Sequence, residues 1–271
     1  MPESFDGAAK PGYDLAFADD FDGPALDTRR WLPVYLPQWS TRERSAPRYA
    51  LAGGALNLRI DADQQPWCPE FDGHNRCSSI QTGVFAGPPG SPLGQHRFNP
   101  ACRVREAQQP QRTFTPQYGY IELRARALIG PSNVVSLWMI GYEDQPERSG
   151  ELAVMEIRGE HCAAGSTKVG YGLHPWGDPG LVDEFYVDEL PIDVTEHHTY
   201  AMEWLPDRAL FFVDGKHLRT IHQSPAYPMQ LMLGIYDLAG PAELARRPAD
   251  AQPSQFIIDA VRAYQRRDGA P

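Results

Sequence analysis

Residues 150–157 read GELAVMEI and place two carboxylates, Glu151 and Glu156, inside an otherwise apolar run. A short apolar run that follows a glycine is typical of a buried β-strand. Residues five apart in a regular strand point to opposite faces, so the two side chains would not meet. A one-residue bulge near Met155 would return both to one face, and bulges are frequent beside active sites. The segment therefore predicts a bulged strand that carries a carboxylate pair.

Short strand-like runs continue on both sides of this segment, each bounded by glycine, proline or polar residues. They cover residues 118–128, 134–141, 151–158, 168–174, 199–205, 229–236 and 255–264. Residues 209–221 place Asp214 and Gly215 between two such runs, which is a strong local signal for a β-hairpin. A short helix is predicted at residues 242–247, and helix is otherwise scarce. The pattern favours an all-β chain.

Residues 61–117 differ from the rest of the chain. They are rich in Pro, Gly, Gln and Arg, alternate weakly, and hold three of the four cysteines. Loops of this length in a compact domain usually line a binding site or are partly mobile. We expect long loops here, within a single domain that spans residues 1–271.

The composition limits the classes of partner. A net charge of −10 leaves no basic surface for phosphate backbones or anionic lipid, so no nucleic acid partner is expected. The longest apolar stretch, residues 134–140, is too short to span a bilayer, so no membrane association is expected. The 12 Tyr, 11 Phe and 6 Trp offer ring faces that suit flat sugar surfaces. Such a surface suits a sugar ligand, and we expect a monomer.

A facing pair of carboxylates can cut a glycosidic bond without a cofactor. Retaining glycosidases need carboxyl groups about 5 to 5.5 Å apart, so that one attacks the sugar while the other protonates the leaving oxygen. A bulged strand makes that separation plausible for Glu151 and Glu156. The alternative is that one glutamate faces solvent and the other caps a loop.

The whole chain resembles glycoside hydrolase family 16, whose signature is Glu-x-Asp-x-x-Glu on a bulged central strand. The resemblance at residues 150–157 is joined by five other segments: 17–23 (FADDFDG), 118–126 (YGYIELRAR), 198–204 (HTYAMEW), 211–215 (FFVDG) and 258–264 (IDAVRAY). The family fold implied is a β-jelly-roll sandwich of two antiparallel sheets with a concave substrate cleft.

By this resemblance Glu151 is the nucleophile and Glu156 the general acid and then base. The central Asp of the signature, which hydrogen-bonds the nucleophile in the family, is Ala153 here. Its absence is expected to slow the first chemical step or to shift the pH optimum, because both essential carboxyls are still present.

The resemblance also implies residues that hold the sugar. Trp138, on the strand before the carboxylates, matches a cleft tryptophan, although a core position is the alternative. The other candidates are His174 and Trp176 beyond the catalytic strand, Trp204 and Glu203 at another side of the cleft, Asn133 at its edge, and Tyr35 and Trp39 in the loop after the opening strand. Asn133 is as well explained as a turn residue, because it follows Pro131 and Ser132.

The remaining candidates concern metal binding and disulfide formation. The resemblance implies a structural calcium held by Asp259, with carbonyls of Gly53 or Gly54, and oxygen ligands suit that ion. His197 and His198 would face opposite ways in a strand, which disfavours a shared metal. Cys68 and Cys77 could close a small loop, but the four cysteines allow three pairings and the sequence does not choose.

The substrate is the least specified feature. A β-1,3- or mixed-linkage glucan is the commonest substrate class that the resemblance implies. Residues 134–138 read VVSLW, however, and keep only the last tryptophan of the Trp-Pro-Ala-x-Trp motif usual in laminarin-cutting members, so a β-galactan stays open. A carbohydrate-binding protein that has lost turnover and a transglycosylase are the alternative functions.

The family resemblance also predicts an extracellular protein. The N-terminal sequence MPESFDGAAK lacks the basic and apolar regions of a signal peptide, so a signal peptide would have to be absent from the given chain. A cytoplasmic protein is the alternative.

Overall fold

The computed structural model describes residues 10–248 and 252–267. In chain order the strands are β1 (Tyr13–Asp19), β2 (Arg48–Leu51), β3 (Leu56–Ile60), β4 (Arg76–Gln81), β5 (Gly83–Val84), β6 (Gln111–Arg112), β7 (Gly119–Leu128), β8 (Asn133–Gly141), β9 (Glu151–Arg158), β10 (Cys162–Ala163), β11 (Ser166–His174), β12 (Glu184–Leu190), β13 (His198–Leu205), β14 (Arg208–Val213), β15 (Lys216–Ile221), β16 (Met229–Asp237) and β17 (Ser254–Arg266). Two one-turn helices, α1 (Pro69–Asp72) and α2 (Pro241–Leu244), and two short 3-10 turns, Pro37–Trp39 and Gly159–His161, accompany them.

The strands of the described residues form two large antiparallel sheets and one small one. The eight-stranded sheet runs β15-β14-β13-β7-β17-β3-β2, with β1 paired to β17. The seven-stranded sheet runs β10-β11-β9-β8-β16-β4, with β12 paired to β11. Strands β5 and β6 pair separately. The predicted all-β sandwich is confirmed.

The two large sheets pack face to face because their strands present apolar side chains at alternate positions. Strand β7, for example, buries Ile121, Leu123 and Ala125 between the sheets. The facing strand β9 contributes Leu152 and Met155 to the same core. The catalytic-strand candidate is thus anchored from one side by the main core.

The other face of the seven-stranded sheet carries a second apolar cluster. There Trp138 of β8 and Met232 of β16 pack against Tyr35, Trp67 and the buried Cys102 from the preceding segments. Strands β8 and β16 are buried almost throughout because they are covered on both faces. The second cluster forms the floor and one wall of the cleft described below.

The expectation of loops throughout residues 61–117 is wrong in part. This segment contains helix α1, the short strands β5 and β6, and strand β4, which is fully buried and pairs with β16. Strand β12 was not predicted either. Helix α2 begins and ends earlier than the predicted helix at 242–247.

The structure describes all four cysteines. Each of the four cysteines, all within residues 10–248, is a free thiol, so the Cys68–Cys77 bridge is not present. Burial raises the pKa of the Cys77 thiol, which favours the protonated form.

Across the described ranges, no helix has the length and hydropathy that a bilayer crossing requires.

Candidate active site

The predicted bulge lies in β9. Ala153 is opposite Trp138 of β8, while Met155 is opposite the preceding residue, Leu137, so Val154 is the extra residue. The pairing with β11 shifts at the same point. As a result Glu151, Ala153 and Glu156 all line one cleft, as the sequence predicted.

The cleft has a volume of about 270 Å³ and opens on the face of the seven-stranded sheet that points away from the main core. It contains both carboxylates, two tryptophans and two histidines. Its lining residues are Tyr35, His96, Val134, Ser136, Trp138, Glu151, Ala153, Glu156, Arg158, His174, Trp176, Tyr236 and Leu238.

Glu151 is the more enclosed of the two carboxyls. Its side chain is 12% exposed, and the indole Nε1–H of Trp176 donates to its Oε2 at 2.7 Å. The pKa of Glu151 is raised to about 7, chiefly by burial; the Trp176 hydrogen bond opposes the rise and the charge of Glu156 contributes to it. Near neutral pH the carboxyl therefore exists in both protonation states.

Glu156 lies beyond the bulge in β9 and is more exposed than Glu151, since 30% of its side chain is accessible. The Nε–H of Arg158 donates to its Oε1 at 3.1 Å, from two residues along the same strand face. Arg158 also lines the cleft. The guanidinium of Arg158 thus holds the second carboxyl in position.

Aromatic side chains form the floor of the cleft. The indole Nε1–H of Trp138 donates to the hydroxyl of Tyr236 at 3.0 Å, and the Tyr35 ring meets the Tyr236 ring edge to face. Trp138 and Tyr35 line the cleft as predicted. Trp39 does not, because it is fully buried and donates to the carbonyl of Gln95. Tyr236 was not predicted.

His174 and Trp176 form the opposite wall. His174 ends β11 with its ring stacked on Phe185 and its Nδ1 3.1 Å from a carboxylate oxygen of Asp183. Trp176 follows with a positive φ of 47° and is 48% exposed, so part of its ring is accessible to a ligand. Both residues line the cleft as predicted.

His96 is the main site residue that the sequence analysis missed. It comes from the 61–117 segment, and its ring makes edge-to-face contacts with Trp138 and Trp176. Its backbone N–H donates to the carboxyl of buried Glu143 at 2.6 Å. Burial lowers the pKa of His96 to about 3 and raises that of Glu143 to about 8. A single histidine in an irregular segment carries no periodicity that could have identified it.

The prediction that Trp204 and Glu203 border the cleft is wrong. They lie in β13, which belongs to the eight-stranded sheet. Trp204 points into the main core, where its Nε1–H donates to Ser224 Oγ at 2.7 Å. Glu203 points the other way and accepts a hydrogen bond from the Tyr13 hydroxyl. The segment was identified correctly, but not the sheet to which it belongs.

Asn133 is the first residue of β8, its side chain closes the preceding turn, and it does not line the cleft. Its Oδ1 accepts from the backbone N–H of Gly130 at 2.9 Å and from Ser254 Oγ–H at 2.7 Å. It borders a separate open groove of about 1150 Å³. Neither Glu151 nor Glu156 lines that groove.

Asp259 does not fit the calcium role that the resemblance implies. Its carboxylate is ion-paired with the Arg124 guanidinium and lies 2.9 Å from His197 Nε2. His198 instead contacts Asp214. Within residues 10–248 and 252–267, no group of three or more His, Cys, Asp or Glu side chains is arranged to hold a metal ion. Because the Arg124 cation already engages the Asp259 carboxylate, this position lacks the free anionic oxygen that calcium prefers.

A family model described as Glycosyl hydrolases family 16 matches residues 103–252, which include both carboxylates. Among curated proteins the chain is similar to Glucan endo-1,3-beta-glucosidase A1 of Niallia circulans, with 21% identity over 94% of this chain and 38% of that protein. The chain thus spans about two fifths of the length of this relative.

Two solved structures give further comparisons. A GlcNAcα1-4Gal-releasing endo-β-galactosidase from Clostridium perfringens is 30% identical, with a TM-score of 0.82 over 97% of this chain and 65% of that one. SCLam, a non-specific endo-β-1,3(4)-glucanase, is 19% identical, with a TM-score of 0.64 over 96% of this chain and 94% of its own. At that identity the second likeness supports the fold alone.

Proposed function

The chain belongs to glycosyl hydrolase family 16, and from this premise we propose that it is an endo-acting, retaining glycoside hydrolase that cleaves internal β-glycosidic bonds of a polysaccharide. The observation that carries the proposal is the bulge in β9, which brings Glu151 and Glu156 to one aromatic-lined cleft. The endo mode is supported by the names of the relatives, which are endo-acting enzymes.

In the proposed reaction Glu151 attacks the anomeric carbon. The bond to the leaving oxygen breaks as Glu156 gives that oxygen its proton, and a covalent glycosyl-enzyme forms. Glu156 then takes a proton from water, which displaces Glu151 and regenerates the free carboxylate. Trp176 binds Glu151 Oε2 and so leaves Oε1 as the attacking atom. Side chains and water supply all the chemistry, and no cofactor is needed.

The raised pKa of Glu151 sets the expected pH dependence. Only the carboxylate form can attack, so activity requires that Glu151 lose its proton. Because its pKa in the free protein is about 7, kcat/KM is expected to fall as the pH drops below 7. The missing signature Asp is consistent with this shift, because Ala153 offers Glu151 no hydrogen bond.

We propose a galactose-containing glycan as the first substrate class to test. The support is the likeness to the Clostridium perfringens endo-β-galactosidase, which has the higher identity and the higher TM-score of the two structures compared. A β-1,3-glucan is the second candidate, supported by the similarity to the Niallia circulans enzyme over 94% of the chain. Hydrolysis is proposed in both cases.

The test is release of reducing ends from purified β-galactans, galactose-containing glycans and β-glucans by this protein and by Glu151→Gln. The proposal predicts release from one class, loss in the variant, and large fragments early in the digest. Retained binding of a polysaccharide with no release from any of them would contradict the proposal and favour a carbohydrate-binding protein, for which the Ala153 substitution is the supporting feature.

We propose an extracellular, monomeric enzyme, because polysaccharides of this kind lie outside the cell. Light scattering after gel filtration should give the mass of one chain. Fractionation of the source cells should place the activity outside the cytoplasm. A dimer, or activity confined to the cytoplasm, would overturn the corresponding part of this proposal.

A further inference from the structure

The ring nitrogen Nδ1 of His96 is buried and has no hydrogen-bond partner among the described residues. Buried polar atoms in folded proteins are almost always paired, because an unpaired one loses its hydration without compensation. An exception beside a candidate nucleophile therefore points to a partner that arrives with the ligand. His96 Nδ1 lies 3.9 Å from Glu151 Oε2, inside the cleft.

The surrounding structure holds His96 in this position at a cost in backbone strain. His96 and Glu143 both have positive φ values, 49° and 55°, which side-chain-bearing residues seldom adopt. The Glu143 carboxyl accepts the His96 N–H, and two tryptophan rings fix the imidazole edge to face. Strain of this kind tends to be kept where it serves a function.

The distance between the two atoms suits one bridging oxygen. At 3.9 Å, Nδ1 and Oε2 are too far apart for a direct hydrogen bond. A single hydroxyl oxygen can nevertheless lie at about 2.8 Å from both, which is an ordinary hydrogen-bond length. Such a hydroxyl would donate its hydrogen to the Glu151 carboxylate and accept one from the Nδ1–H of a neutral imidazole.

We propose that His96 and Glu151 together bind the 2-hydroxyl of the sugar whose anomeric carbon is attacked. This inference rests on the proposed function, because the identity of the hydroxyl follows from the attack. When Glu151 Oε1 faces the anomeric carbon, Oε2 lies toward the adjacent carbon, which carries the 2-hydroxyl. Hydrogen bonds to this hydroxyl strengthen in the transition state of retaining glycosidases. His96 is thus a substrate-binding residue and selects sugars that carry a free 2-hydroxyl.

The test compares His96 variants on the responding oligosaccharide and on its analogue that is 2-deoxy at the attacked sugar. His96→Phe keeps a ring between the two tryptophans but removes the nitrogen. His96→Asn retains a donor near the position of Nδ1, and asparagine tolerates positive φ. Thermal melting shows whether each variant is folded.

We expect His96→Phe to lower kcat/KM about 50-fold on the full substrate and less than about threefold on the 2-deoxy analogue, because the second contact no longer exists there. His96→Asn should recover most of the loss. Equal losses on both substrates, or no loss on the full one, would overturn the inference while the glycosidase function stood.

Failure of the proposed function itself would look different, because the wild-type protein would then cleave neither compound. In that case calorimetric affinities for the same two oligosaccharides replace the rates. A loss of affinity in His96→Phe that requires the 2-hydroxyl supports the inference. An equal loss for both ligands, or binding of neither, overturns it.

Discussion

Two glutamate–tryptophan pairs in this protein were both predicted to belong to the site, and they differ in role. Glu151 accepts a hydrogen bond from Trp176 in the open cleft, whereas Glu203 and Trp204 lie on opposite faces of β13. Strand β13 pairs in regular register with both neighbours, so adjacent residues separate to the core and to the outer surface. In β9 the extra residue, Val154, moves Glu156 to the face of Glu151. The difference shows that residue type alone does not define a site here. The face of the strand on which a side chain lies, and a bulge that changes that face, decide whether it reaches the cleft.

The largest expected effect is on turnover. Glu151→Gln should lower kcat by at least about 1000-fold, because an amide cannot form the glycosyl-enzyme. Glu203→Gln should change it less than about twofold, because Glu203 contacts Tyr13 on the outer surface. Rates on the responding glycan measure both. A large loss of kcat in Glu203→Gln would mean that β13 contributes to the active site, which would contradict this comparison.

The same pair of variants should differ in stability. Burial raises the pKa of Glu151 from 4.5 to about 7, so the folded state binds a proton more tightly than the unfolded chain. Wild-type stability is therefore expected to decline as pH rises from about 4.5 to 7, by about 3 kcal/mol. Glu151→Gln lacks this loss and should unfold at higher urea concentration at pH 8.

The advantage of Glu151→Gln should vanish near pH 4, where the wild-type carboxyl is protonated in both folded and unfolded states. Glu203→Gln serves as the matched control in the same urea titrations. An equal gain in both variants, or a gain for Glu151→Gln that does not depend on pH, would mean that the burial of Glu151 is not its cause.

The next largest difference is expected between the two tryptophans, Trp176 and Trp204, in the pH profile of kcat/KM. Trp176→Phe removes the donor to Glu151 Oε2, so the pKa of Glu151 rises further and kcat/KM at pH 6 should fall about tenfold. Trp204→Phe removes a core hydrogen bond to Ser224 and should lower the melting temperature without moving the acid limb. The pH profiles of both variants measure this. An acid limb that shifts in Trp204→Phe would contradict the assignment of that residue to the core.

The smallest expected effect concerns Ala153. Its side chain faces the cleft between the two carboxyls, so Ala153→Asn offers a neutral donor to Glu151. We expect the acid limb of kcat/KM to move down by less than about one pH unit, because one added hydrogen bond stabilises the carboxylate modestly. Val154→Ala, at the buried bulge, should leave the limb in place. A shift to higher pH in Ala153→Asn would show that the added amide does not reach Glu151.

Local pattern predicted much of the fold. The bounds of β9 agree with the prediction, and the hairpin of β14 and β15 forms around Asp214 and Gly215. Strand β4 could not be found in this way, because it reads RCSSIQ and is buried along its length. Several of its polar side chains have specific partners, such as Ser78 with the Arg59 carbonyl and Gln81 with the Gly83 carbonyl. A strand buried in this way shows no alternation of apolar and polar residues in its sequence.

The sequence predicted the part of the candidate site that lies on β9 and next to it in the chain. It missed the residues that long-range contacts bring to the cleft. Glu151, Glu156, Trp138, His174 and Trp176 all line the cleft. His96 reaches it through an irregular segment held by Glu143, and Tyr236 through the pairing of β16 with β8. Such contacts are set by tertiary structure, which a local pattern does not encode.

The central claim is that Glu151 forms a covalent bond to the sugar. An activated 2-deoxy-2-fluoro glycoside of the responding oligosaccharide should inactivate the protein and add one glycosyl mass, and peptide mass spectrometry should place the label on Glu151. A label on Glu156, or an unlabelled protein that releases product with inverted anomeric configuration, would contradict the account.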